Sequence, residues 1–259
     1  MRKVLIVSQD GLLQNSHNYR ISKFIQYLPD FEWEPVVLTQ MDLKYLFKKE
    51  VQCDSSIRAY RALYFPLWLI PGVFQKLGLI SPNTRFFVPS NEIGWTLTGV
   101  IKGVQIIRRE KIDMIFVSCP PYSLAVIGYI LKLITKRPFV LDLRDGWSTD
   151  PYIKYLTKFH MNLDRRIQNE VISYADGVVL VSDAMRMSLL AINNGWDEKF
   201  SIIPNGYDDI EPGTEKGTEK GSDIFTITFT GSTYNCSPFR SPDIFFEAIS
   251  MLLKNQKVL

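Results

Sequence analysis

Residues 138–151 read PFVLDLRDGWSTDP, and the way this stretch changes character decides the fold. It opens as a short apolar run, Phe139-Val140-Leu141, with the length and composition of a buried strand. Polar residues then crowd in: Asp142, Arg144 and Asp145, followed by Gly146, Trp147 and Ser148. An open α/β sheet carries its working residues just beyond the carboxyl ends of its strands. Paired carboxylates and a guanidinium at such a point, with an indole beside them, suit a polyhydroxylated or phosphorylated ligand. A structural reading stands next to it, in which Arg144 pairs one aspartate and Asp145 caps the next helix.

Outward from this stretch, strand and helix patterns alternate. Upstream, residues 3–8 read as a strand and 9–16 as a loop. A helix is predicted over 17–28, with Ile21, Phe24, Ile25 and Leu28 at helical spacing and Pro29 as its stop. A strand follows at 34–39, then a helix at 94–110, a strand at 113–118 and a helix at 121–135. Downstream come two helical segments between residues 152 and 174, a strand at 177–181, a helix at 183–192 and a strand at 200–203. Ser182 or Asp183 caps the helix at 183–192. This alternation predicts a Rossmann-like, doubly wound, mainly parallel α/β sheet.

Two regions fall outside the pattern. Residues 51–90 hold proline-punctuated apolar runs at 65–74 and 86–89, read as an irregular insertion folded onto the core. The functional alternative is an exposed patch over 65–89 that touches a bilayer or a lipid-linked substrate. After the turn at 204–209, the doubled GTEK unit of 213–221 reads as a flexible linker. A strand at 224–230, a turn at 231–234 and a helix at 242–254 follow, and 257–259 resemble the start of another strand. So short a βα piece cannot bury a core of its own. The expected organisation is a first domain over 1–208, a linker over 209–223, and a second Rossmann-like domain cut short over 224–259.

Bulk properties limit the function classes. At 46% hydrophobic and 22% charged, the 259 residues have the composition of a folded protein. A formal charge of +3 is too small to argue for nucleic acid, and agrees with weak attraction to anionic lipid or phosphorylated ligands. Cys53, Cys119 and Cys236 are too far apart for a zinc site or a disulfide framework and suit a reducing cytosol. The apolar run at 4–7 is too short for a signal peptide. The stretch 124–134, broken by Lys132, falls below the roughly 20 residues of a membrane span. A soluble or peripheral cytoplasmic protein is expected, working at the inner face of the plasma membrane if 65–89 makes contact.

Several blocks together resemble the family 4 glycosyltransferases of the GT-B fold, specifically their acceptor-side N-terminal domain. They are NYRISKFIQYLPDFEWEPVVLT (18–39), IDMIFVSCPPYSLAVIGYILKLITKRPFVLDLRDGWS (112–148), EVISYADGVVLVS (170–182) and FSIIPNGYD (200–208). FTITFTGSTY (225–234) and RSPDIFFEAI (240–249) resemble the opening βα unit of the family's nucleotide-sugar domain. The resemblance implies transfer of a sugar from a nucleotide-diphosphate sugar to a hydroxyl of a cell-surface polysaccharide or glycolipid. It implies no cofactor beyond that co-substrate and no bound metal, and the sequence has no D-x-D.

The implied roles fall on particular residues. Asp145 is the candidate that orients or deprotonates the acceptor hydroxyl, with Arg144 and Asp142 as catalytic neighbours. Trp147, Ser118, Tyr122 and His17 are acceptor-binding candidates, although buried packing is an open alternative for Trp147. Donor phosphates fall to Gly11, Asn205, Gly231, Ser232, Thr233 and Arg240, with an ordinary βα turn as the alternative for 231–240. His160 reads as a helix-surface residue. The sequence departs from the family in three places. The first βα loop has a single glycine where many relatives have two, Leu124-Ala125-Val126 stands where some carry a histidine, and the donor-gripping glutamate motif is expected beyond residue 259. The rival reading is a catalytically silent acceptor-binding or scaffold module. An NAD-dependent oxidoreductase is disfavoured because the first βα loop lacks G-x-G-x-x-G.

Overall fold

The computed structural model describes residues 1–9, 19–41, 57–81, 84–150, 153–207, 227–228 and 243–254. The expected linker, the turn at 231–234 and most of the strand at 224–230 lie outside the described residues. The chain divides into two compact units, Met1–Gly206 and Tyr207–Leu259. Within the second, the helix α7 (Asp243–Lys254) is described.

Seven strands build the main sheet of the first unit: β1 (Arg2–Val7), β2 (Trp33–Met41), β3 (Arg58–Leu63), β5 (Met114–Cys119), β6 (Phe139–Leu143), β8 (Gly177–Leu180) and β9 (Phe200–Ile202). Their order is β3-β2-β1-β5-β6-β8-β9, and every pairing is parallel. Order therefore reverses between β1 and β5, the switch point at which doubly wound sheets open a crevice. Two short strands, β4 (Thr84–Arg85) and β7 (Lys154–Tyr155), pair separately.

Helices cover both faces of the sheet, so its strands are apolar on both sides. Alternation along β1 shows the division. Val4 and Ile6 pack with Ile21 and Ile25 of α1 (Tyr19–Tyr27), whereas Leu5 and Val7 belong to the larger core. That core takes in α3 (Thr96–Glu110), α4 (Ser123–Thr135), α5 (Lys158–Tyr174) and α6 (Asp183–Leu190). The α4 helix lies so close to the sheet that a Cβ on Gly128 would come within 2.6 Å of Val117 and 2.5 Å of the Phe139 ring. Local signals start the later helices: Thr157 caps α5 and Ser182 caps α6 by accepting backbone N–H bonds.

The structure differs from the sequence expectation in two places. Residues 51–90 are not wholly irregular, because β3 extends the sheet and α2 (Leu69–Lys76) forms a helix. Pro71 lies in the first turn of α2, where its missing N–H breaks no hydrogen bond. Between 152 and 174 there is one long helix, α5, preceded by β7, because Thr157 caps the chain only there.

At the amino end of the sheet a charged cluster ties β1, β2, β3 and α3 together. Glu110 accepts from Tyr60 Oη at 2.6 Å, Arg58 at 2.7 Å and Lys3 at 3.5 Å. Hydrogen bonds from Tyr60 and then Arg58 outweigh burial and, with Lys3, hold the Glu110 carboxyl at about 2, below its ordinary 4.5. A depressed carboxylate contributes stability above its unfolded-state value, and that contribution is lost as pH falls through the folded value. Glu110→Gln should therefore lower the melting temperature at neutral pH, with the gap to the unaltered chain closing between pH 4.5 and about 2. Thermal unfolding followed by circular dichroism across that range checks it.

Candidate functional site

The carboxyl ends of β5 and β6 stand next to the switch point, and register explains what meets there. Ser118 and Asp142 are direct cross-strand partners. Ser118 Oγ consequently donates to Asp142 Oδ2 at 2.7 Å. Arg20, in the first turn of α1, straddles the same carboxylate, with Nη2 at 2.9 Å and Nε at 3.2 Å from Oδ1. Asp142 is completely buried, so this charge is held in the fold by its partners. Arg20 also donates to the Pro204 carbonyl at 3.0 Å and lies 3.5 Å from Asn205 Oδ1, just after β9. One guanidinium thus links α1, the end of β6 and the segment that leaves the sheet.

The loop after β6 is anchored from within. Arg144 folds back on β5, donating through Nε to the Cys119 carbonyl at 3.2 Å and through Nη2 to the Pro120 carbonyl at 2.8 Å. Tyr122 Oη donates to the Asp145 and Gly146 carbonyls at 3.2 and 2.8 Å. Burial pushes the Tyr122 hydroxyl up, against the opposing effect of Arg85, so it stays protonated and remains a donor. Trp147 is fully buried and stacks on Tyr122, with ring centroids 4.8 Å apart. Its indole N–H donates to Asp164 Oδ1 at 2.9 Å, and the Ser148 N–H reaches Gln168 Oε1 at 2.8 Å. Asp164 is itself buried, ion-paired to Arg85 and bonded by Tyr155 Oη at 2.6 Å. The Arg85 guanidinium lies over the Tyr122 ring at 4.8 Å.

The outcome is a loop whose inner side is fully engaged and whose outer side offers one reactive group. Asp145 is exposed, and its carboxylate has no hydrogen-bond partner among the described residues. Trp147 has no free face for a sugar and instead supports the loop from behind. Tyr122 and Ser118 are buried in the same way, whereas Asn205 is exposed. Burial also pushes the Cys119 thiol up, so it is inert. His160 sits in the first turn of α5, where Nδ1 lies 2.8 Å from the cap hydroxyl of Thr157. Gly11, His17, Gly231, Ser232, Thr233 and Arg240 lie outside the described residues. Among the described residues no group of His, Cys, Asp and Glu side chains is arranged to hold a metal ion.

Arg20, Arg85, Asp164 and Gln168 are missing from the sequence candidates. Arg20 had a signal, being a cation in the first turn of the helix that follows β1, on the site's end of the sheet. Arg85 and Asp164 are 79 residues apart and left no local signal.

Residues 21–210 match the profile of Glycosyltransferase Family 4. Among solved structures, the chain is similar to sucrose-phosphate synthase from Thermosynechococcus elongatus, at 11% identity and a TM-score of 0.58, over 80% of this chain and 49% of that one. Weaker likenesses are to an S. aureus MnaA–UDP co-structure (15% identity, TM-score 0.46, 78% and 43% of the two chains) and to Acinetobacter baumannii MurG (10%, 0.41, 70% and 42%). The chain thus spans less than half of each. No curated protein sequence matches it.

The buried pair yields a direct prediction. Asp164→Ala leaves Arg85 buried without a counter-charge and strips Trp147 and Tyr155 of their acceptor, which should cost about 3–5 kcal/mol. Urea unfolding of the two proteins measures it, and a loss below about 1 kcal/mol would contradict this role for Asp164.

Proposed function

The chain belongs to glycosyltransferase family 4, and from that premise we propose that it forms the acceptor side of an enzyme that transfers a sugar from a nucleotide-diphosphate sugar. The observation that carries this reading is Asp145, an exposed and unpartnered carboxylate on a loop anchored from within at the sheet's carboxyl end. The acceptor is a hydroxyl of a cell-surface polysaccharide or glycolipid. Its oxygen attacks the anomeric carbon while the Asp145 carboxylate takes the proton. The bond from that carbon to the donor oxygen breaks, and its electron pair leaves with the nucleoside diphosphate.

The remaining candidates act around that step. Asp142 and Arg144 are positioning residues, since both are bound to the fold by the contacts above. Ser118 holds Asp142, and Tyr122 and Trp147 hold the loop. His17 is assigned to the acceptor. Asn205, Gly11, Gly231, Ser232, Thr233 and Arg240 are assigned to the donor, where backbone N–H groups and a cation would face the growing charge of the diphosphate. No further cofactor or metal enters this scheme. The enzyme works in the cytoplasm at the inner face of the plasma membrane, which it touches through 65–89. No described helix is long and apolar enough to cross a membrane.

Asp145→Asn tests the assignment in the product of the full reading frame, because an exposed side chain can be changed without disturbing the fold. With a labelled nucleotide sugar and acceptor, kcat should fall about 10²–10⁴-fold, with the melting temperature and the KM for donor little changed. Undiminished turnover would contradict the role given to Asp145.

A further inference from the structure

Between β3 and α3 the protein presents an apolar surface to solvent. Ten of the seventeen residues from 63 to 79 are large apolar side chains, each more than a third exposed. Single exposed apolar residues are ordinary, but a contiguous group marks an interaction surface. Its origin is visible in α2, which is apolar nearly all round. Pro71 turns inward and Phe74 stacks on Phe86 at 5.4 Å, leaving Leu69, Ile70 and Val73 outward, with Trp68 before them and Leu77 after. The segment is held firmly in place. Phe65 N–H donates to the Gly94 carbonyl at 3.2 Å, and a Cβ on Gly94 would lie 1.8 Å from the Phe65 carbonyl oxygen.

Charge identifies the partner. Residues 57–81 contain Arg58, Arg61 and Lys76 and no carboxylate, and of these Arg58 is taken up by Glu110. Arg61 and Lys76 are exposed within it and form no ion pair among the described residues. Exposed basic residues flanking an apolar helix complement a negatively charged lipid surface.

We propose that this surface docks on an anionic bilayer, with α2 and Trp68 entering the headgroup region and Arg61 and Lys76 meeting lipid headgroup charges. This deepens the membrane contact given above. The strands are all parallel, so the patch after β3 lies toward the same end of the sheet as Asp145 after β6. A docked protein then opens its acceptor side near the membrane and takes an acceptor anchored in that bilayer. That consequence rests on the transferase reading, whereas the docking does not.

Co-sedimentation of the full chain with vesicles tests it, using phosphatidylcholine alone and phosphatidylcholine mixed with phosphatidylglycerol. Binding should be about tenfold tighter to the mixed vesicles and should weaken as salt is raised. Val73→Ser with Leu77→Ser should weaken it about tenfold, and Trp68→Phe should remove the blue shift of tryptophan emission on binding. No binding, or equal binding to both vesicles, overturns the proposal. So does a dimer that the serine pair dissolves in a chain that ignores vesicles. Asp145→Asn should dock like the unaltered chain. Docking by a full reading-frame product that transfers no sugar would support this surface and reject the transferase reading. Transfer without docking would reject the surface alone.

Discussion

Asp142 is a carboxylate with no exposed surface at the end of β6, and the arrangement around it follows from that constraint. A buried charge costs several kcal/mol unless it is paired and hydrogen-bonded. Ser118 supplies one hydrogen bond because strand register places it opposite, and Arg20 supplies the counter-charge from α1. To reach Asp142, Arg20 must come in above Phe24, whose ring lies 5.2 Å from the guanidinium, and Phe24 in turn packs edge-on against Phe116. The apolar packing of α1 and its buried ion pair therefore specify the same position for the helix. Through the Pro204 carbonyl the pair also fixes where the chain leaves β9.

A second buried pair, Arg85 with Asp164, does for the loop after β6 what the first does for the strand end. It draws the β4 segment against α5 and places Tyr122 and Trp147 in a stack under the loop. The inner groups of the loop are consequently fully occupied, and Asp145 is left outward. The same insertion that contributes Arg85 to the interior contributes α2 to the surface. One segment thus supports the site from behind and supplies the apolar patch beside it.

Much of this was legible in the sequence, for physical reasons. The runs in β1, β2, β5, β6 and β8 are apolar because parallel strands are covered on both faces, and such runs are easily recognised. β3 escaped because an edge strand reading Arg58-Ala-Tyr-Arg-Ala-Leu63 needs little apolar content. α2 escaped because Pro66 and Pro71 suggest irregular chain, although the first turn of a helix tolerates proline. At the site, Asp142, Arg144, Asp145 and Trp147 were identifiable by their place after a strand. Their division into buried supports and one exposed carboxylate was not, since it depends on Arg20 and on Arg85 with Asp164. These partners are brought in from 122 and 79 residues away.

The dependence of the fold on Arg20 and Asp142 is open to direct measurement by a double-mutant cycle. Urea unfolding of the unaltered chain, Arg20→Met, Asp142→Asn and the double variant gives the interaction energy of the pair. A favourable coupling of about 1–3 kcal/mol is predicted, with the double change costing less than the sum of the two single changes. Additive losses, with a coupling indistinguishable from zero, would show that the pair does not organise the carboxyl end of the sheet.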